Sequence, residues 1–350
     1  MKKILLFITS FILLFVLCIY AFVFIQTRPV NKADDRDIRI EIPSGMSVAQ
    51  VSNLLKKEKL VRNSRLFYFS VRFPLLNSFL FFKEPAKSSF VLKSGIYKLN
   101  PSMDFSEIQK ELSSGQQEFI VISLPEGLTI SKIAAILEEK KICPASNFVA
   151  FCHDSSSSLF SEFKIAGESL EGYLFPDTYY FTSGMSAQSA ARIMVENFFE
   201  KIKGVRGLSE KSPSELFEIL TLASIVEREY RIPEEAPLIA SVFRNRIKKN
   251  IGLYSCATVE YIITEIQGKP HPKRILLDDL KIDNPYNTYK WAGLTPGPIS
   301  NPGLIALDAA CNTPSTNYYF FQIADQGAGR HVFSTTFEQH KVNHNLYTKD

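Results

Sequence analysis

Few side chains in this 350-residue sequence are placed to do acid–base work, and Glu227 stands out among them. From Ser212 to Glu229 the chain reads as a helix: Ser212 suits the N-cap, Pro213 the first helical position, and Glu215 completes a capping box. Leu216, Ile219, Leu220, Leu222, Ala223 and Val226 fill one apolar arc, with Glu218, Thr221, Arg228 and Glu229 opposite. Glu227 falls inside the apolar arc. A carboxyl group there must be paired or stay protonated near neutral pH, because losing water disfavours its charged form. One reading is a general acid; the other is a capping or ion-paired carboxylate, with Arg244 or Arg246 as partner. Glu229 faces away, so the two acids form no ready-made dyad.

Other catalytic chemistries find little footing. His340 and His344 are one helical turn apart, but Lys341 stands where a zinc protease needs its Glu, so no metal is expected. There is no Gly-x-Ser-x-Gly elbow and no phosphate-binding glycine loop, and no cofactor is implied. The stretches 284–289 and 293–303 are dense in Asn, Tyr, Thr, Gly and Pro, a lining suited to carbohydrate. Cleaving a glycosidic bond normally takes two carboxylates. One suffices if the nucleophile belongs to the substrate, as the C6 hydroxyl of N-acetylmuramic acid does when it attacks its own anomeric carbon.

Several elements must position such a group. Lys2 and Lys3 precede an uncharged run from Ile4 to Ile25, long enough to cross a bilayer. No small-x-small cleavage site follows, so a retained span over 4–26 is expected, after residues 1–3 in the cytoplasm and before a polar linker, 27–37. Lys2 and Lys3 compete with Arg28, Lys32 and Arg36 for the inside position, so the flanking charges permit either orientation. With 40 basic and 36 acidic residues, net +4, no nucleic-acid footprint stands out.

The segment from Ile42 to Leu60 aligns without a gap on the segment from Leu124 to Ile142, at an offset of 82 residues. The same offset pairs Ser64 with Ser146, Phe69 with Phe151, Tyr97 with Tyr179 and Met103 with Met185. A unit is therefore duplicated, over about 42–112 and 124–194. Each copy opens with a strand ending in Pro-x-Gly, then an N-cap at Ser47 or Thr129, an amphipathic helix, and a further strand and helix. Cys143 and Cys152 could close a short disulfide outside the cytoplasm.

Six signatures carry a resemblance. They are Leu124-Pro-Glu-Gly-Leu-Thr129, Leu170-Glu-Gly-Tyr-Leu-Phe-Pro-Asp-Thr-Tyr179, Leu222-Ala-Ser-Ile-Val-Glu-Arg-Glu229, Ser241-Val-Phe-Arg-Asn-Arg-Ile247, Tyr286-Asn-Thr-Tyr289 through Gly303, and Gly329-Arg-His-Val-Phe-Ser-Thr335 to His340. In their order the chain resembles the endolytic murein transglycosylase, or YceG-like, family. The resemblance implies an α+β protein with an N-terminal transmembrane helix. Duplicated small β-α modules would occupy 38–115, LysM-like and glycan-binding, and 116–200, ahead of a mixed α/β catalytic domain over 201–350. It implies Glu227 as the catalytic residue, Tyr286, Asn287 and Tyr289 along the glycan cleft, and Glu171, Tyr173 and Asp177 opposite or in support.

The implied activity is non-hydrolytic cleavage within nascent peptidoglycan strands, leaving 1,6-anhydro ends, by a single-pass enzyme of the bacterial cytoplasmic membrane. Its domains would be extracytoplasmic and close to peptidoglycan synthases. One departure is Ser255-Cys256-Ala257-Thr258, where the family has Ser-Asp-Pro-Thr; the change at Cys256 could weaken a contact near the site. Two other readings are a membrane-anchored peptidoglycan-binding scaffold and a glycan hydrolase, the latter needing Glu229 or Asp283 as second carboxylate.

Overall fold

The computed structural model describes residues 2–43, 46–73, 92–93, 95–114, 119–325 and 327–347. It divides into two compact units, Met1–Phe119 and Ile120–Asp350.

The first unit begins with α1 (Lys2–Thr27), whose stretch Phe7–Thr27 has a mean hydropathy of 2.8. Its length and composition suffice to cross a membrane. Then come β1 (Ile38–Ile42), α2 (Val48–Lys57), α3 (Ser64–Arg72), β2 (Gly95–Leu99) and α4 (Phe105–Ser114). The two strands pair antiparallel, Ile38 opposite Leu99 and Ile42 opposite Gly95. Alternation along them points Ile40, Ile42, Tyr97 and Leu99 into one core, where Val51 and Leu55 of α2, Phe67 of α3 and Ile108 and Leu112 of α4 meet them. Ser47 caps α2 with a complete capping box, its side chain accepting from the Gln50 amide while Gln50 answers the Ser47 N–H at 2.8 Å. Of the Pro-x-Gly turn expected here, Ser44 and Gly45 lie outside the described residues.

The second unit starts with the same order at the same offset of 82 residues. It runs through β3 (Phe119–Ser123), α5 (Ile130–Glu139), α6 (Ala145–Cys152), the short α7 (Ser158–Glu162), β4 (Thr178–Thr182) and α8 (Ala187–Lys201), with β3 paired to β4. Even small devices recur. Lys59 and Lys141 both take φ of 58° just after the helix that Ser47 or Thr129 caps, closing it with an N–H from Leu60 or Ile142. The hydroxyls of Tyr97 and Tyr179 each donate at 2.5 Å to the carbonyl four residues back, Lys93 and Phe175. The disulfide that Cys143 and Cys152 could close is not formed, and both side chains are buried.

The rest of the second unit consists of helices, a long irregular stretch over about 267–303 and one hairpin. It comprises α9 (Pro213–Glu227), α10 (Ala236–Lys248), α11 (Cys256–Tyr261) running into a π-turn at Ile262–Ile266, α12 (Leu304–Cys311), the antiparallel pair β5 (Phe320–Asp325) and β6 (Arg330–Ser334), and α13 (Phe337–Tyr347). The sequence reads α9 as amphipathic, but from Ile219 to Val226 every residue is buried, Thr221 included. It is a central helix, packed by α10 and α12 and by the 298–303 segment. Thr221 tolerates this because its hydroxyl donates to the Phe217 carbonyl at 2.8 Å. The architecture is thus mixed α and β, its described strands lying in three separate two-stranded sheets.

Candidate active site

Glu227 is the last residue of α9, and the end of the buried run is what leaves it half-exposed. Its Oε2 accepts the Gly303 N–H at 2.9 Å, and the Tyr230 hydroxyl lies near the carboxylate. Burial raises its pKa above the ordinary carboxylate range. The Gly303 N–H, the Tyr230 hydroxyl and Arg228 pull it back, and the nearby negative charge of Glu126 pushes it further up.

Three segments distant in sequence build this spot. The first is the Pro125-Glu-Gly-Leu128 turn, whose Gly127 N–H donates to the Asn301 carbonyl at 2.9 Å. Gly127 has φ of 76°, and a Cβ there would lie 3.4 Å from Arg228 Cδ and 3.7 Å from Glu227 Cγ. The second is the 298–303 segment, fastened to mid-α9 by Ser224, whose hydroxyl accepts the Ile299 N–H at 3.0 Å and whose carbonyl takes the Ser300 hydroxyl at 3.1 Å. These bonds carry Gly303 to Glu227. A Cβ on Gly303 would sit 2.6 Å from Glu126 Cγ, so only glycine lets the Glu126 side chain lie across that backbone.

The third segment is the turn at Glu171-Gly172. Gly172, at φ of 90°, lies so tight against Leu220 of α9 and Pro298 that a Cβ would come within 2.9 Å of both. Asn301 ties all three together. It donates to the Leu128 carbonyl and to Glu171 Oε1 at 2.9 and 2.8 Å, and accepts the Leu174 N–H at 2.8 Å. Glu171 also accepts the Ile130 N–H at the start of α5, 3.2 Å from each oxygen. Burial nonetheless pushes its carboxyl up to about 8.

The other expected site residues divide. Asn287 is fully buried; its amide donates to the carbonyls of Leu280 and Ile282 at 3.0 and 2.7 Å and accepts the Tyr289 N–H at 3.0 Å. Tyr173, 1% exposed, packs on Phe198 and reaches the Ala166 carbonyl. Glu171, 3% exposed, is occupied as described. Asn287, expected along the glycan cleft, has its amide committed to its own loop, while Glu171 and Tyr173, expected opposite the cleft or in support of it, make supporting contacts. Polar residues in turn-rich loops look available in sequence, but a buried loop needs their side chains for its own backbone groups.

Asp177 is half-exposed, bonded to Lys201 and Asn197 at 2.8 and 3.0 Å, and the Lys201 ammonium lowers its pKa. Tyr286 is half-buried against Tyr261, with ring centroids 5.2 Å apart. Tyr289 packs on Tyr254 at 5.5 Å and places its hydroxyl 3.1 Å from Cys256 Sγ. Among the expected lining residues, Tyr286 and Tyr289 keep an open face.

Glu229 occupies a different environment. Ser255 donates to its Oε1, and burial moves its carboxyl up to about 6. It lines a cavity of about 490 Å³ with Arg246, Tyr254, Phe320 and His331, and Glu227 is not in that wall. Glu126 and Asn301 escaped the sequence reading as site residues. Glu126 had a faint signal, an acid at the centre of the Pro-x-Gly turn, and Asn301 looked like one turn former among several.

The family model described as the YceG-like family matches residues 40–345. An endolytic murein transglycosylase of Bacillus subtilis is 32% identical over 327 residues, spanning 89% of this chain and 85% of that protein. A protein of the same name from Streptococcus pneumoniae is 29% identical, over 93% of this chain and 61% of the relative. A crystal structure of a YceG-like protein from Listeria monocytogenes, 31% identical, superposes with a TM-score of 0.57 over 88% of this chain and 99% of that one.

Proposed function

The chain belongs to the YceG-like family, and from that premise we propose that it is an endolytic murein transglycosylase, a lyase cutting peptidoglycan glycan strands internally, with Glu227 as both acid and base. The observation that carries the assignment of Glu227 is its place at the open end of a buried helix, with a raised pKa and a fixed N–H donor on Oε2. The raised pKa favours the protonated form, which gives its proton to the bridging oxygen of the MurNAc–GlcNAc bond. As that bond breaks, positive charge develops at the anomeric carbon. The newly formed carboxylate, held by the Gly303 N–H, then takes the proton of the muramic C6 hydroxyl while O6 bonds to the anomeric carbon. The proton lost in the first step is regained in the second, and no water is consumed.

Tyr286 and Tyr289 supply ring faces for sugars, and Asp177 remains a candidate on the opposite side. Residues 38–115 serve as a LysM-like glycan-binding module, 116–200 as its repeat and 201–350 as the catalytic domain. The recurrence of strand, helix, αL Lys and tyrosine hydrogen bond at one offset supports the duplication. The span in α1 makes the protein a single-pass membrane protein, with its domains outside the cytoplasm near peptidoglycan synthases. Cys256, where the family has Asp, leaves the Glu227 contacts untouched, which favours an enzyme over a scaffold with a lost centre.

A hydrolase is the second reading, and one observation favours it. Glu126 is close enough to Glu227 to raise its pKa, so a second carboxylate is at hand to activate water. Digestion of purified peptidoglycan in oxygen-18 water by the full-length protein separates the two. Unlabelled 1,6-anhydromuramic ends that vanish with Glu227→Gln are expected; labelled reducing ends that vanish with Glu126→Gln identify a hydrolase.

A further inference from the structure

Beyond α11 the chain makes a π-turn at Ile262–Ile266, reverses at Gly268 with φ of 63°, and runs through Lys269-Pro-His-Pro-Lys-Arg-Ile-Leu-Leu277. Lys269, Lys273, Arg274 and Leu276 surround one open concavity of about 610 Å³. All four are exposed, Leu276 at 51%, and the adjoining Leu277 reaches 80%, the highest of the large apolar side chains described. The three cations have no carboxylate partner among the described residues. The acids that share the concavity are engaged: Asp278 pairs with Lys281 at 2.7 Å, and Asp279 accepts the Leu276 N–H at 2.7 Å. His271 turns to Glu260 at 3.0 Å. The lining thus carries three cations against the carboxylates of Asp278 and Asp279, of which Asp278 is paired with Lys281, and a protruding pair of leucines stands at its edge.

We infer that this face docks on anionic lipid headgroups, a phosphate entering the concavity among Lys269, Lys273 and Arg274 while Leu276 and Leu277 enter the bilayer interface. Unpaired cations beside an exposed apolar pair are the two components of interfacial binding. The chain itself carries a helix long and apolar enough to cross a bilayer, so lipid headgroups are a chemistry this protein is equipped to meet. A glycan strand has only narrow C–H faces and no hydrocarbon layer for two protruding leucines to enter, whereas an anionic bilayer supplies both a hydrocarbon layer and phosphates. This docking is independent of the bond that Glu227 cuts.

Depth measurements on the full-length chain in lipid nanodiscs test it, because the protein is then bilayer-bound whether or not the face docks. The sequence has a single tryptophan, Trp291, so Leu277→Trp in a Trp291→Phe background reports from the edge of the concavity. With brominated acyl chains, strong quenching is expected in phosphatidylglycerol discs and little in phosphatidylcholine discs. Each cation near an anionic surface contributes roughly a five-fold preference. Lys269→Glu, Lys273→Glu and Arg274→Glu together, or high salt on the chain with its cations intact, should therefore bring quenching down to the phosphatidylcholine level. Absence of quenching in either lipid overturns the inference and leaves the face to a protein or glycan. Equal quenching in both lipids, unmoved by salt, also overturns it, since apolar insertion would then occur without headgroup recognition.

Discussion

The two strand–helix–helix–strand–helix segments, 38–114 and 119–201, have their elements at one offset and use their helix starts differently. In the first, Ser47 and Gln50 satisfy the beginning of α2 between themselves. In the second, Thr129 keeps the capping role, but Lys132 stands where Gln50 would be and turns to Glu260 at 4.0 Å. The N–H of Ile130, the first residue of α5, is answered by Glu171 from the far end of the segment, and Glu171 is held by Asn301. The turn before α5 likewise lends its Gly127 N–H to Asn301. The start of α2 is thus self-contained, while the start of α5 is joined to the surroundings of Glu227. What separates the two segments here is where the orphan backbone donors find partners.

If that contrast is sound, damage to the joint reaches catalysis and equivalent damage in the first copy does not. Glu227→Gln sets the upper scale: a fall in kcat of roughly 10² to 10⁴-fold is expected with an unchanged melting temperature, measured by anhydro-end formation. Asn301→Ala comes next. It strands the Leu174 N–H and removes donors from Leu128 and Glu171, so a loss of about 2 to 4 kcal/mol in chemical denaturation is expected, with reduced kcat in the protein that remains folded.

Glu171→Gln tests the joint through pH. Its folded-state pKa of about 8 lies above the ordinary value of about 4.3, so the protonated group contributes stability that is complete below the lower value and lost as pH rises through the upper one. The glutamine variant should flatten that decline in melting temperature between about pH 5 and 8, while the parent shows it. Glu126→Gln removes a like charge that raises Glu227, so the alkaline limb of kcat/KM should move to lower pH. The smallest effect belongs to the first copy: Ser47→Ala should cost about 1 kcal/mol in that unit and leave kcat unchanged. A drop in kcat with Ser47→Ala would erase the contrast.

Local rules made much of this legible. The start of α9 follows from Ser212, Pro213 and Glu215, and the apolar helix α1, long enough to cross a membrane, from its uncharged length; the offset of 82 residues matches the recurring order of described strands and helices. The helical wheel found Glu227 for a reason only half right, since α9 is buried all round over 219–226 and its end, more than its face, sets the carboxyl apart. Glu126 and Asn301 stayed hidden because their roles arise from tertiary partners, 173 residues apart in the case of Asn301 and Leu128. Asn287 misled in the opposite sense: a polar residue in a turn-rich loop was read as facing a ligand, and its amide is committed to Leu280, Ile282 and Tyr289.

The Gly303 N–H that fixes Glu227 also sets when, during biosynthesis, the site can come into being. Gly303 follows Glu227 by 76 residues, and its segment must close back on a turn near residue 127. Contacts of such long sequence separation form late, after the loop-closure entropy of everything between them has been met. A chain emerging N-terminus first can fold its initial strand–helix segment while α9 still lacks the Gly303 donor. The acid is thereby kept unassembled until the chain has been delivered through Gly303.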